Sequence, residues 1–251
     1  MSNIRHMPVA PTEVRHLATG DDVDLHQHED HQLIYASTGV LEVTVEQGTW
    51  FTPSTRAAWI PGGTPHVWQV HGATTVRFVG VPLSLYPGSL YPSTEHDPAL
   101  LLVSPLFREL VVACSENGAA TTPAARRMLD VLVDQLRPAP QPATMVPALH
   151  DPRLREVQAI VEAELAGSPT LGELGRRVGA SERTLSRLFR DTVGMSFTTW
   201  RNQVRLHRAN HLLAEGRTVT QVAAACGFAT PSAFVAVFRA AFGRTPGSMF
   251  R

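Results

Sequence analysis

A pattern near the C-terminal end of this 251-residue chain occurs twice, and it restricts the fold more than any other feature. Leu171, Leu174, Val178 and Gly179 recur 48 residues later as Val219, Val222, Cys226 and Gly227. Phe189, Arg190 and Gly194 recur 49 residues later as Phe238, Arg239 and Gly243. The one-residue slip falls in the turn between these blocks, where insertion is best tolerated. Each copy reads as an apolar i, i+3, i+7 helix face ending in Gly, a few turn residues, then a second helix. Ser181 is placed to cap the second helix of the first copy, its hydroxyl accepting from a free backbone N–H. Leu185, Leu188 and Phe189 then face inward, while Arg183, Ser186, Arg187 and Arg190 face outward. A second helix of this kind fits the DNA major groove while the first braces the backbone. Phe197, Trp200, Val204, Leu206, Ala209 and Leu213 form a core stripe that predicts one long helix, Phe197–Glu215, between the copies.

A plain helical bundle would show the same apolar spacing, so charge is the discriminating observation. The formal net charge of zero conceals an asymmetry. Residues 1–150 carry 8 Arg and 14 acids, a balance of −6, and residues 151–251 carry 14 Arg and 8 acids, a balance of +6. The basic half is built to meet a polyanion. Every basic residue is Arg, a side chain suited to bidentate contacts with guanine and phosphate. No apolar run approaches the ~20 residues that span a bilayer. Met1–Pro11 has no apolar signal core, so the sequence predicts a cytoplasmic protein. Cys114 and Cys226, the only cysteines, are expected as buried reduced thiols.

The first part of the chain reads as strands. Leu33–Ala36, Val40–Val45, Trp50-Phe51, Ala57–Ile60 and Thr75–Val79 are short, β-branched or aromatic, and punctuated by Gly39, Gly48, Pro53, Gly62-Gly63 and Gly72. They predict a sandwich or barrel. Ala99–Glu116 and Pro123–Arg137 then have helical composition, and Pro138–Pro142 reads as a linker. The chain is therefore expected to be α+β with two domains. A β-barrel sensory domain over 1–97 is followed by a helical segment over 98–137 that pairs two chains or covers the barrel. A Pro-rich linker over 138–150 leads to an all-α domain over 151–251. The helical segment's apolar residues are Leu100, Leu101, Leu102, Leu106, Phe107, Leu110, Val111, Met128, Leu129 and Leu132.

The C-terminal stretch from Leu154 to Arg251 resembles the AraC/XylS family of transcription regulators. The likeness runs through Leu171, Val178-Gly179-Ala180-Ser181, Leu185, Phe189, Gly194, Trp200, Arg205-Leu206, Ala209 and Leu212-Leu213. It continues through Val222-Ala223, Gly227-Phe228, Phe234, Phe238, Phe242-Gly243, Thr245-Pro246 and Phe250-Arg251. Gly175 departs from it, standing where the family usually has Ala. The resemblance implies two recognition helices entering successive major-groove segments of promoter DNA. It places base contacts at Arg183, Ser186 and Arg187 in the first copy and near Pro231, Ser232, Val235 and Ala236 in the second. Arg239 is expected to grip phosphate, which positions without specifying.

In the N-terminal part, His26-Gln27-His28 puts two imidazoles on one side of a strand. Pro61-Gly62-Gly63-Thr64-Pro65-His66 makes a tight turn presenting a third. These residues resemble the two cupin motifs, over roughly residues 20–82. The resemblance implies a small barrel holding a metal or a small ligand. Where cupin enzymes commonly carry a ligating Glu this chain has Gln32, a poorer ligand, although three His still suit a divalent transition metal (Ni, Zn, Fe or Mn). Asp30 shares strand parity with His26 and His28 and is a substitute ligand. A metal, an organic effector without metal, and a purely structural barrel all remain open on this reading. His31, His71 and His96 lack comparable spacing and are expected at the surface or locally paired. The combined expectation is a non-enzymatic, homodimeric regulator whose barrel senses a metal or small molecule. RNA polymerase is a further partner if it activates. The alternative is a cupin oxygenase or isomerase with an accessory DNA-binding domain, against which Gln32 argues.

Overall fold

The computed structural model describes residues 4–86, 97–139 and 145–250, and within these the chain divides into two compact units. The first takes in Met1–Glu46 and Trp50–Pro142; the second takes in Gln47–Thr49 and Ala143–Arg251. The first contains β1 (Arg5–Met7), β2 (Glu13–Leu17), β3 (Asp22–His28), β4 (His31–Val45), β5 (Gly48–Thr52), β6 (Arg56–Ile60), β7 (His66–Val81) and β8 (Ala99–Leu102). These are followed by α1 (Pro105–Asn117) and α2 (Pro123–Asp134).

Two long strands organise this unit. β4 and β7 pair antiparallel from His31↔Val81 to Thr44↔Val67, with register shifts around Thr38. Such irregularities bend a strand. Along its other edge β7 pairs with β3 near His66 and with β2 near Val76. β4 carries β6, and β6 carries β8. The separate strands expected at 33–36 and 40–45 are thus one element, and the 75–79 strand is the second half of β7.

The segment Ala99–Leu102, expected as the start of a helix, is instead a strand paired with β6 from Trp59↔Ala99 to Arg56↔Leu102. The helix begins only at Pro105, where the Ser104 hydroxyl accepts from the Phe107 N–H. A run of four apolar residues cannot be told from a buried helix start by periodicity alone. The apolar residues expected to pair two chains are also mostly spent within the unit. Leu101, Phe107, Val111, Leu129 and Leu132 are buried in one cluster with Leu33, Tyr35, Trp59 and Val81 of the sheet. Leu110 and Met128 pack against its margin. Covering the sheet is what these helices do, and Leu102, Leu106 and Val131 stay exposed.

The expected linker begins within the first unit. Pro138 bridges to Leu101 and the Ala139 N–H donates to Leu100 O, while 140–144 lie outside the described residues. The second unit then holds β9 (Met145–Pro147), α3 (Pro152–Ala163), a 3-10 turn at Leu165–Gly167, α4 (Leu171–Arg177) and α5 (Glu182–Val193). After these come α6 (Phe197–Ala214), α7 (Val219–Ala225), α8 (Pro231–Phe242) and α9 (Pro246–Met249). The repeat reaches the caps. Thr170 with Glu173 and Thr218 with Gln221 form matching capping boxes, and Ser181 and Thr230 cap α5 and α8. Gly194 and Gly243 end α5 and α8 in the left-handed conformation. Among the described residues no helix is long and apolar enough to cross a membrane.

The reassigned apolar residues yield a test. Phe107→Ala should cost about 3–5 kcal/mol in urea unfolding because it empties a fully buried site. Leu106→Ala, half exposed, should cost less than about 0.5 kcal/mol. Similar losses in both would mean that α1 does not cover the sheet in this way.

Candidate functional site

The DNA-facing candidates lie on α5 and α8. On α5, Leu185 and Phe189 are fully buried, which turns Arg183, Arg187 and Arg190 to the solvent side with Ser186 half-buried beside them. On α8, Phe234, Phe238 and Phe242 are buried, and Pro231, Ser232, Ala236 and Arg239 are exposed, with Val235 half-buried. The two exposed faces differ in chemistry. That of α5 offers three guanidinium groups and two hydroxyls, Ser186 and Thr184. That of α8 offers one guanidinium at its last turn and little else that hydrogen-bonds.

The first unit contains a second constellation. His26 and His66 are cross-strand partners on β3 and β7, and His28 lies two residues further along the same face. All three are buried, with 3%, 0% and 1% exposure for His26, His66 and His28. One ligand atom from each lies within 4.8 Å of the others. Gln32, at the start of β4, is equally buried and completes the cluster.

The turn that delivers His66 is built by close backbone packing. A Cβ on Gly62 would lie 2.0 Å from the Glu29 carbonyl oxygen, so only glycine fits. The Gly62 N–H donates to His31 Nδ1 at 3.1 Å, and the Gly63 N–H donates to His28 O at 2.7 Å. His31 also stacks on Trp59 at 5.2 Å. It is buried rather than superficial, and its role in holding the loop carried no spacing signal in the sequence. His71 is buried as well, with Nε2 2.9 Å from the Glu42 carboxylate and its ring stacked on Phe51. His96 lies outside the described residues. Asp30 does not join the cluster. β3 ends at His28, and the Asp30 carboxylate accepts from the Leu83 N–H instead, so strand parity does not extend to it.

Hydrogen bonding fixes which ring nitrogens are available. Nδ1 of His26, His28 and His66 lies 3.0, 2.7 and 3.0 Å from the carbonyl oxygens of Asp24, Asp30 and Thr64. A carbonyl only accepts, so each Nδ1 carries a proton, and in the neutral ring Nε2 is then a bare lone pair. Burial holds the imidazolium forms of His26 and His66 in disfavour, that of His66 down to a pKa of about 3. Yet Nε2 of His28 and of His66 lies 3.1 and 3.2 Å from Gln32 Oε1. Acceptors face an acceptor. The contact is favourable only with the amide turned to present its NH2 or with a cation among the ligands. Donation of the second ring N–H to a backbone carbonyl is the arrangement that orients metal-binding histidines.

The depressed His66 pKa sets a pH dependence. Above the ordinary histidine value of 6.5 His66 is neutral in both folded and unfolded chains, and the N-terminal unit has its full stability. As pH falls from about 6.5 toward about 3, the unfolded chain takes a proton that the fold refuses, and stability is lost. In chelator-treated protein the melting temperature of the N-terminal unit should fall between about pH 7 and about pH 5, and His66→Gln should flatten that slope. An unchanged slope in His66→Gln would contradict this.

Residues 11–140 match a family described as an AraC-like ligand binding domain, and residues 174–251 match a helix-turn-helix domain. The chain is 34% identical over 249 residues to the HTH-type transcriptional regulator NimR of Escherichia coli (strain K12), covering 97% of this chain and 88% of that protein. It is 36% identical over 103 residues to the HTH-type transcriptional regulator RipA of Corynebacterium glutamicum, covering 41% of this chain and 31% of that one. Among solved structures, an AraC-type transcriptional regulator from Chromobacterium violaceum is 30% identical. That match covers 39% of this chain and 89% of that one, with a TM-score of 0.38. The matched families and relatives are regulators rather than enzymes, which removes the oxygenase or isomerase alternative. With the ligand-binding match spanning half of its length and NimR nearly all of it, the chain belongs to the AraC family of DNA-binding transcription regulators.

Proposed function

We propose that the barrel detects a divalent transition metal at His26, His28 and His66, with the Gln32 amide oxygen as fourth ligand. The carrying observation is that buried acceptors converge there while every second ring nitrogen is already committed to a carbonyl. Imidazole suits Ni, Zn and Fe, and Mn is taken where oxygen ligands join. None of the four groups is a carboxylate, and no carboxylate joins the histidine cluster among the described residues. A dication there keeps its full charge, so it binds less tightly than beside a Glu at position 32. Loose, reversible binding suits a sensor.

Metal content of protein purified without an affinity tag checks this. Wild type should bind about one equivalent, His28→Ala should lose it while remaining folded, and Gln32→Glu should hold it more tightly. Equal content in wild type and His28→Ala would rule the site out. No metal under any loading would leave the turned Gln32 amide as the partner of His28 and His66, and an organic effector as the signal.

The DNA-reading residues are assigned on the same footing. Arg183, Ser186 and Arg187 contact base edges from α5, and Ser232 and Ala236 do so from α8; Arg190 and Arg239 grip phosphate. Exposed Leu102, Leu106 and Val131 are available to a second copy, giving a homodimer on promoter DNA in the cytoplasm. As an activator it would also meet RNA polymerase. The first set of side chains can donate bidentate bonds to guanine, whereas the second touches thymine methyls at most. Arg187→Ala should cost ~1–3 kcal/mol of binding and relax the preference at one base pair. Arg239→Ala should weaken all sequences alike. A binding-site selection in which Arg239→Ala changes the preferred bases would overturn this division.

A further inference from the structure

The two helix-turn-helix copies have separate apolar cores. One gathers Leu154, Leu165, Leu174, Leu185, Phe189 and Trp200; the other gathers Leu206, Ala209, Val222, Phe234 and Phe238. Both draw on α6, yet a single helix shared by two cores leaves each copy free to pivot about it. What ties the copies directly is polar. Ser168, the one non-glycine residue with positive φ among those described, ends the 3-10 turn two residues before the Thr170 cap of α4. Its hydroxyl lies 3.2 Å from the carbonyl of Gly227, in the turn between α7 and α8 of the other copy. A Cβ on Gly227 would lie 2.1 Å from Leu165 O and 2.6 Å from the Ser168 hydroxyl. The turn leading into the first copy is thus seated against the turn of the second.

Two arginines of α6, one helical turn apart, hold this junction. Arg205 donates from Nη2 to the Ser168 hydroxyl, and its guanidinium carbon lies 5.4 Å from the centre of the Phe228 ring. Arg201 donates from Nη1 to Pro169 O at 3.2 Å and lies over Phe197. Arg205 is only 7% exposed, and among the described residues its Nε has no hydrogen-bond partner and no carboxylate is among the charges acting on it. A buried cation without a counter-ion adds little to stability, since an apolar residue of similar volume would serve the core as well. Its bonds are specific in direction instead. The Ser168 hydroxyl has one proton, so it accepts from Arg205 and donates toward Gly227 O, the nearer of two carbonyls at 3.2 Å against 3.4 Å for Leu165 O, and the three groups lock as a chain.

We infer that Arg205, acting through Ser168 and the Gly227 turn, fixes the angle and spacing between α5 and α8, and so sets the base-pair separation of the two half-sites the protein accepts. Arg205 and Ser168 are positioning residues: neither lies on the exposed face of a recognition helix. One inserted base pair rotates the second half-site by roughly 35° and displaces it by ~3.4 Å. A rigid pair of copies cannot follow that shift, while a pivoting pair can.

The test uses the full-length protein and a duplex selected by it from a random pool, with one base pair then inserted or deleted between the segments under α5 and α8. Binding is measured by titration for wild type, Arg205→Met and Ser168→Gly, the last keeping a residue suited to positive φ while removing the hydroxyl. Wild type should lose about tenfold or more on either altered spacing. Both variants should bind the three spacings within about threefold of one another while melting cooperatively. Two results would overturn the inference: variants that keep the wild-type spacing preference, and variants that weaken on all three duplexes by the same factor. Should Arg205→Met fail to fold, Ser168→Gly alone decides by the same criteria.

Discussion

Neither helix-turn-helix copy is large enough to bury its own apolar face, and the second unit is arranged around that shortage. α6 resolves it by serving two cores from one helix. Phe197, Trp200 and Val204 complete the first, and Leu206, Ala209, Leu212 and Leu213 complete the second. The cost of ordering so short a pair as α4 and α5 is met only when Trp200, fully buried, closes the space between Phe189 and Phe197. Everything the protein presents to DNA follows from this packing. Once Leu185 and Phe189 must point at α6, the positions of Arg183 and Arg187 on the opposite face of α5 are determined.

The N-terminal unit depends on a different economy, that of buried polar groups. Burial disfavours the charged forms of His26 and His66, and the Nδ1 proton of each of the three rings goes to a carbonyl near the strand ends. This leaves lone pairs pointed inward, the one kind of polar surface that an incoming cation stabilises. The tight turn at Gly62 is part of the same arrangement, because it ties the His66 end of β7 to the carbonyl of His28. The orientation of the three rings is therefore set at Nδ1 by backbone carbonyls.

The parts of this architecture written as periodicity were legible in the chain. The 48-residue echo, the inward Leu185 and Phe189, and the long helix ending within one residue of Glu215 rest on side-chain spacing that packing has no reason to override. His-x-His and the Pro-Gly turn were legible because strand parity and backbone tightness are local. Long-range pairing was not. Nothing in Ala99–Leu102 says that β6 is available to take a strand. The short edge strands β1 and β2 carry too few apolar residues to announce themselves. Asp30 was misplaced because parity ends where the strand ends. Gly175, a seeming loss of helix stability, proves to face the Ala180 carbonyl, which a Cβ would approach to 2.5 Å. Arg205 stands out in the sequence only as a landmark of the family resemblance, since burial of a charge leaves no mark there.

The internal repeat also shows where function has pulled the copies apart. Core positions remain apolar in both, and the Thr170 and Thr218 caps match. On the outward faces Arg183, Ser186 and Arg187 stand opposite Ser232, Val235 and Ala236, while Arg190 and Arg239 correspond. The pair that is kept lies in the last turn of each helix, where a cation is favourable to the helix dipole and within reach of a phosphate. The positions that differ are those proposed to meet base edges. A copy stripped of hydrogen-bonding side chains there still adds phosphate contacts and still demands its place on the duplex. Its contribution to selectivity is then geometric: it must fall on a groove at a set distance from the segment that α5 reads. A junction that holds the two copies at one angle is what converts an almost featureless second helix into a constraint on which DNA is bound.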